Sequence, residues 1–360
     1  MWTPRAKYPL AITPSGHWRV SMTETPKAGD AGMPGLSEVG GALFRTYRGE
    51  EDLPGLVRVS RASQLADGVT WHYSVEKLRN ELAHTPGLDP PRDVLVVEVA
   101  GRIVGWGLVS CRDEETGGRL YHNYTHLVPE WRGRGIMHAM QRWLEDRAAA
   151  MDAPLPAGVP RMLSVWTTDS QLPRLAVLRD FGYRPVRYFL EMERDLTAPV
   201  PEVPMPGGLV VRPVGAHELR KVFMTLVEAD RDEWGQVQIR EGDYERFMGS
   251  PTTDPSLWTV GWDGDMVAGV VLGWIDREEN EQNGRLVGYT ENVAVHPAHR
   301  RRGLARALLA RNMALMRDRG MTVANLGVDS ENPSGANRLY EGLGFKAIRR
   351  FAVHRKALGG

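Results

Sequence analysis

The sequence predicts an α/β protein in which one fold occurs twice in tandem, and three observations support this. The chain has 360 residues, more than the roughly 250–300 that a single core usually accommodates. A Pro-x-x-Arg-x-x-Gly run occurs at 129–135 and again at 297–303, an offset of 168 residues. Around both runs, strand-like and helix-like hydrophobic spacings follow each other in the same order.

The two copies share the same predicted elements in the same order. Before the run, two β-branched stretches are joined by a tight turn, at Ala100-Gly101 in the first copy and Asp263-Gly264 in the second. After the run, apolar residues recur at helical spacing, followed by a β-branched stretch and a short helix. An alternating strand closes each copy, at 187–193 and 349–355. Each copy is therefore expected to combine strands with helices.

The predicted domains follow from this repeat. We place a first half at 41–196 and a second half at 207–357, with the proline-rich stretch 197–206 between them as a semi-rigid linker. Residues 1–40 are rich in Gly, Pro, Ser and Thr and lack periodicity, which predicts an extended arm of a composition typical of disorder.

Composition excludes several classes of protein. Lys+Arg and Asp+Glu are both 45, whereas a general nucleic-acid binder carries a basic surplus. The single cysteine permits no internal disulfide and suits a reducing compartment, and the histidines do not show metal-ligand spacing. No stretch approaches the roughly 20 apolar residues of a membrane span, and the first residues lack the apolar run of a signal peptide. We therefore expect a cytoplasmic protein without nucleic acid, membrane or metal partners.

The segment from Arg300 to Ala305 has the properties of a phosphate-binding turn. It joins a strand to a helix, whose first amides lack intrahelical partners and whose dipole favours anions. Gly303 permits a close backbone approach, and the arginines add positive charge. The alternative is an ordinary strand–helix turn with a solvated basic face.

The arrangement Arg300-x-x-Gly303-x-Ala305 resembles the signature of the GNAT acyltransferase superfamily, and the run from Asn332 to Tyr340 resembles its second motif. The resemblance covers nearly all of 41–357 as two copies. It implies two consecutive GNAT folds, each with a mixed, mostly antiparallel central sheet flanked by helices, and acetyl-CoA as cofactor. The implied cofactor-binding residues are Val293, Ala294, Val295, Arg300, Arg301, Arg302, Gly303, Leu304, Ala305, Arg306, Asn332 and Asn337.

The first half departs from the family pattern. Met137 stands where Gly or Ala is expected, and Leu178 aligns with Tyr340 but cannot donate a proton. We predict that this half is catalytically silent, while weaker cofactor contacts, or a wall of the substrate site, remain open alternatives. The corresponding weaker cofactor-binding residues are Leu127, Arg132, Gly133, Arg134 and Gly135.

Two residues are predicted to carry the chemistry. Tyr340 matches the family's usual proton donor, and the alternative is a tyrosine packed against the sheet. Glu291 is the candidate base, since a carboxylate can accept the proton that an attacking amine must lose. It precedes Val293 by two positions, which in a regular strand places both side chains on one face. The alternative is a carboxylate paired with an arginine.

The acidic segment 228–234 is the predicted acceptor region, with Glu233 and Trp234 as substrate residues. Carboxylates attract a cationic amine, and an aromatic ring can hold an ammonium group. A solvated charged face is the alternative. The resulting hypothesis is an acetyl-CoA-dependent N-acetyltransferase in which the primary amine of a small, cationic acceptor attacks the thioester directly. The rival interpretations are a non-catalytic acyl-CoA sensor and an acetyltransferase for protein or peptide amines.

Overall fold

The computed structural model describes residues 39, 41–71, 73–151, 158–231, 233–239, 243–332 and 334–359. The predicted arm at 1–40 lies outside this part of the chain, apart from Val39. The elements of the first half are β1 Leu43–Thr46, α1 Leu53–Ala66, α2 Val75–His84, α3 Pro90–Asp93, β2 Val94–Val99, β3 Arg102–Asp113, β4 Arg119–Leu127, α4 Ile136–Ala149, β5 Arg161–Thr168, α5 Leu172–Asp180 and β6 Arg184–Asp195.

The second half repeats this order. Its elements are β7 Val210–Val211, α6 Leu219–Asp230, α7 Asp243–Gly249, β8 Trp258–Asp263, β9 Met266–Trp274, α8 Arg277–Asn283, β10 Val287–Val295, α9 Leu304–Asp318, β11 Val323–Asp329, α10 Ala336–Glu341 and β12 Lys346–Ala357. The two predicted hairpin turns join β2 to β3 and β8 to β9. The described strands form one sheet in the order β1-β2-β3-β4-β5-β12-β6-β11-β10-β9-β8-β7. All neighbours are antiparallel except β4–β5 and β10–β11, so the mixed, mostly antiparallel α/β fold is confirmed.

The two halves exchange their last strands. β12 lies between β5 and β6, and β6 lies between β12 and β11. Phe351 thus pairs with Thr168 on one side and with Phe189 on the other. The stretch 197–206 separates the halves along the chain, but the hydrogen-bonded ladder runs continuously across them. Val200, Val203 and Met205 of that stretch also pack against the core of the second half.

Helices cover both faces of the second half's strands. On one face, α9 packs through Leu308 and Met313 against Val271 and Val293. On the other face, α6 packs with Val222 in a cluster that includes Leu272 and Ala294. Consecutive residues of β9 and β10 therefore belong to different cores, as the alternation of a strand requires.

β10 and β11 separate partway along their length. Their parallel pairing covers only Val287–Tyr289 against Val323–Asn325, and beyond this the two strands diverge. On its other side, β10 carries a bulge at Asn292, where the register against β9 shifts and φ is 50°. β4 also diverges from β5, but its register against β3 has no bulge. The two halves therefore differ at the strand that would bind a cofactor.

Candidate active site

A cavity of about 1190 Å³ lies where β10 and β11 diverge. Ligand pockets commonly have volumes of about 300–1,000 Å³, so this one has room for a large ligand. It brings together most of the predicted cofactor residues and both predicted substrate residues. Those that line it are Val293, Ala294, Val295, Arg300, Arg301, Gly303, Leu304, Ala305, Arg306, Asn332, Glu233 and Trp234.

The turn before α9 is bent by two residues in the left-handed region. Gly303 has φ 83° and Arg301 has φ 61°. A side chain at Gly303 would meet no atom within 4 Å, so glycine is needed here for its backbone conformation and not for space. An arginine in this region is strained, and such strain concentrates at functional sites. Leu304 and Ala305 then begin the helix beside the cavity. Its first amides have no intrahelical acceptors, which suits an anion.

The arginines of the turn have different roles, which the sequence did not distinguish. Arg300 donates to the carbonyl oxygens of Val295 at 3.2 Å and Ala229 at 2.9 Å, so it braces the strand end against α6. Arg302 donates to the carbonyl of Gly207 and does not line the cavity. Arg301 is exposed beside the cavity and makes no hydrogen bond or ion pair within the described part of the chain. Arg301 is therefore the arginine best placed for a phosphate.

The bulge overturns one expectation about Glu291. Glu291 pairs with Leu272, whereas Val293 pairs with Val271, the neighbouring residue of β9. Because neighbouring strand residues point to opposite faces, Glu291 and Val293 do so as well, and the expectation of a shared face is wrong. Glu291 lies on the α6 side, buried, and accepts a hydrogen bond from Trp274 Nε1 at 3.2 Å.

Tyr340 is fully buried and does not itself line the cavity. It belongs to α10, whose residues Ala336 and Leu339 line the space. Its hydroxyl has no hydrogen-bond partner among the described residues, and such a group is costly to bury unless a ligand satisfies it. Burial raises the pKa of Tyr340 well above its ordinary value, and the nearby charges of Glu233 and Asp230 raise it further. The hydroxyl thus keeps its proton.

The two predicted asparagines hold the second motif in place. Asn332 Oδ1 accepts from the backbone of Ser334 at 2.8 Å, and its Nδ2 donates to Glu233 at 3.3 Å. Asn332 therefore joins the predicted cofactor motif to the predicted substrate segment. Asn337 donates to the carbonyl of Ser330 at 3.1 Å and does not line the cavity, so it fixes the end of β11.

Trp234 is held by the protein's own cations. The guanidinium of Arg355 stands 4.5 Å from its ring centroid, and that of Arg187 stands 5.7 Å from it. The cation–π position that the sequence assigned to an acceptor ammonium is therefore taken by arginine. Arg355 also pairs with Glu114 at 2.8 Å. These partners come from the exchanged strands and from a first-half loop, where no sequence motif indicated a site.

The corresponding cleft of the first half is closed. Arg174 donates to the hydroxyl and carbonyl oxygens of Thr125 and to the carbonyl of Asn123, and so covers the diverging edge of β4. The remaining cavity measures only about 30 Å³. Gly182 after α5 and Gly344 after α10 are equivalent in the repeat. Arg174 lies eight positions before Gly182 and Ala336 lies eight positions before Gly344, so Ala336 takes the place of Arg174 in the second half.

The predicted first-half cofactor residues serve structural roles. Arg132 donates to Leu127, Ser63 and Asp67, and so braces this half as Arg300 braces the other. Arg134 stands over the ring of Trp131 at 4.4 Å. Met137 packs against the core of this half, so Arg174, and not Met137, fills the cleft. Leu127 is buried in the same core, and Gly133 and Gly135 are exposed in left-handed conformations.

Comparison with known proteins agrees with this fold. The sequence profile of the acetyltransferase (GNAT) family matches residues 61–183 and 222–345. A mycothiol acetyltransferase of Salinispora tropica is 31% identical over 63% of this chain and 69% of its own length. Another, from Thermomonospora curvata, is 28% identical over 82% of this chain and 92% of its own.

Solved structures give the same result. A GCN5-related N-acetyltransferase from Sphaerobacter thermophilus superposes with a TM-score of 0.64 at 26% identity, covering 88% of this chain and 96% of its own. A tandem GNAT protein from the clavulanic acid biosynthesis pathway shares the fold, with a TM-score of 0.66 at 16% identity over 89% of this chain and 99% of its own.

The chain is an acyltransferase, and it belongs to the GNAT acetyltransferase family with two GNAT folds in tandem. Among the helices that the structure describes, none has the length and apolar character needed to cross a bilayer.

Proposed function

We propose that the second half binds acetyl-CoA and transfers its acetyl group to the primary amine of a small, cationic acceptor. The observation that carries this proposal is the large cavity that brings the turn before α9 together with α10, the helix that holds the buried Tyr340. The residues present fit the cofactor: the α9 amides and Arg301 suit its phosphates, and the free edge of Val293–Val295 offers backbone groups to its amide-bearing arm. Relatives named for mycothiol support a small-molecule acceptor.

When bound, acetyl-CoA supplies the acetyl group as a thioester. Asp230 and Glu233 give the acceptor end a negative potential that draws in an ammonium group. Glu291 is proposed as the base that takes the amine proton, through a water molecule because it lies on the α6 side of β10. The Tyr340 hydroxyl is proposed to give its proton to the departing sulfur. The first half, whose cleft Arg174 fills, is proposed to be catalytically silent and to bind no cofactor.

Calorimetric titration with CoA tests the cofactor site. We expect wild type to bind one CoA per chain and Arg301→Glu to bind it about 10- to 100-fold more weakly, because charge-assisted hydrogen bonds contribute about 1.5–3 kcal/mol. Arg134→Glu is the matched control, since it makes the same charge change on the equivalent first-half turn. Absence of CoA binding to wild type would overturn the proposal, and two binding events per chain would show that the first-half cleft is open.

Glu291→Gln tests the proposed base. We expect kcat/KM at pH 7 to fall about 100-fold, with the deficit shrinking as pH approaches the amine's own pKa of about 10.4, where deprotonation needs no base. Glu278→Gln, an exposed carboxylate on α8, serves as the control. A pH-rate profile that falls by the same factor at every pH would contradict the role of base.

A further inference from the structure

The far wall of the cavity comes from the first half. The loop between β3 and β4 reaches the second half, and Glu114, Glu115 and Thr116 line the cavity. The backbone N–H of Glu115 donates to the carbonyl of Gln236 at 3.0 Å, and that of Gln238 donates to the carbonyl of Asp113 at 3.0 Å. A β-bridge between Glu114 and Val237 lies between these bonds. The loop is therefore fixed at the cavity by main-chain hydrogen bonds.

The cavity lining carries charges of both signs. Arg300 and Arg301 belong to the turn before α9, and Arg306 belongs to the first turn of that helix. The rest of the lining has more carboxylates than guanidinium groups. The carboxylates are Glu114, Glu115, Asp230, Glu233 and Asp329, and the guanidinium groups are Arg187, Arg231 and Arg355.

Most of these charges already have partners. Glu114 pairs with Arg355 at 2.8 Å, Asp329 pairs with Arg187 at 3.0 Å, and Arg231 pairs with Glu228 at 3.0 Å. The Glu115 carboxylate makes no hydrogen bond or ion pair with any residue that the structure describes. A fixed backbone thus presents an uncompensated negative charge to the cavity.

A second observation marks this space as a ligand site. The hydroxyl of Tyr340 is buried and without a partner among the described residues, and Tyr340 belongs to α10, whose residues Ala336 and Leu339 line the cavity. A ligand that occupies the cavity therefore meets α10 of the second half and the first half's loop together.

We infer that Glu115 is a specificity-determining residue that binds a positively charged group of the acceptor. The inference rests on the proposed function, which it deepens by naming the class of acceptor. The amine that reacts must lose its proton, so a carboxylate that stabilised the charged amine there would oppose the reaction. Glu115 suits a second cation, one that keeps its charge throughout. The first half, with its own cleft closed, thus selects the acceptor for the second.

The test compares two acceptors of equal length, 1,4-diaminobutane and 4-amino-1-butanol, with acetyl-CoA as donor. For wild type we expect a lower KM for the diamine. Glu115→Gln should raise that KM about 5- to 10-fold, leave kcat within about twofold, and leave the amino alcohol unaffected. Glu130→Gln is the matched control: an exposed first-half carboxylate, away from the cavity lining, with the same loss of charge. An equal loss for both acceptors, or no loss, would overturn the inference.

Binding measurements separate this inference from the proposed function. Calorimetric titration of 1,4-diaminobutane into CoA-saturated protein reports the Glu115 contact without turnover, and we expect about 5- to 10-fold weaker binding to Glu115→Gln than to wild type. Equal affinity of the two proteins for the diamine overturns the role of Glu115 while leaving the acetyltransferase proposal intact. Failure of wild type to bind CoA counts against the proposed function itself.

Discussion

Tyr340→Phe is expected to lower kcat about 100- to 1,000-fold while CoA binding stays unchanged. The substitution removes one hydroxyl whose proton the departing sulfur needs, and proton transfer by a positioned side chain contributes about 10²- to 10⁴-fold. The ring is buried beside Phe345, 6.0 Å between centroids, and that packing is kept. Because the hydroxyl has no partner among the described residues, its removal should leave Tm unchanged or slightly higher. Steady-state kinetics, CoA titration and thermal melting measure the three quantities.

Tyr183→Phe is the control for Tyr340→Phe, and the opposite pattern is expected of it. Tyr183 is buried in the first half, and its hydroxyl accepts a hydrogen bond from Gln141 at 2.9 Å. Its loss should cost about 1 kcal/mol of stability and leave kcat unchanged. If Tyr340→Phe retains full turnover, or if it loses activity only in proportion to lost stability, Tyr340 is a packing residue and the proton donor lies elsewhere.

The second half, expressed alone as 207–360, is expected not to fold. β12 would lose both of its neighbours, and β11 would lose β6. Arg349 would lose Glu191, with which it forms an ion pair at 2.7 Å, and Phe351 and Val353 would lose the core partner Phe189. An unpaired central strand exposes a full row of backbone donors and acceptors, and the buried apolar face returns to water. Far-UV circular dichroism and a melting curve without a cooperative transition would show this.

A longer fragment provides the matched control for this truncation. Residues 184–360 add β6, which restores the continuous order β12-β6-β11-β10-β9-β8-β7, so that β12 lacks only its neighbour β5. We expect this fragment to melt cooperatively and to bind CoA. If 207–360 folds and binds CoA as well as 184–360 does, the exchanged strand does not hold the second half together, and the two halves are separable in the ordinary way.

The features that could be predicted from the sequence are those that depend on local patterns of residues. Hairpin turns, helical spacing and the glycine that begins α9 each depend on a few neighbouring residues, so the tandem α/β fold and the position of the turn could be predicted. The repeat at an offset of 168 residues then fixed the equivalence of the two halves. Much of the candidate site could also be predicted from these local motifs, because the turn, the end of β10 and the second motif line one cavity.

The remaining features depend on contacts between distant residues. Nothing local to Asn292 reveals that β10 bulges there, and one extra residue in a strand reverses the face of every side chain before it. From the local sequence, Arg174 is indistinguishable from any other arginine of a helix. Its role depends on contact with Thr125 of β4, which lies 49 residues away in sequence. The similarity of the two halves also concealed the exchange of β6 and β12, since identical patterns fit either sheet position.

That exchange also sets the order in which the protein can be completed during synthesis. β5 leaves the ribosome well before its partner β12, since Thr168 pairs with Phe351 near the end of the chain. At a synthesis rate of about 5–20 residues per second, the edge of β5 stays uncovered for on the order of ten seconds or more. Neither sheet half can close until the last strand has been made, so translation of that strand completes both halves in one step. The chain is most exposed to aggregation while this edge is uncovered. Chaperones that bind nascent strands should therefore engage the chain between the synthesis of β5 and that of β12.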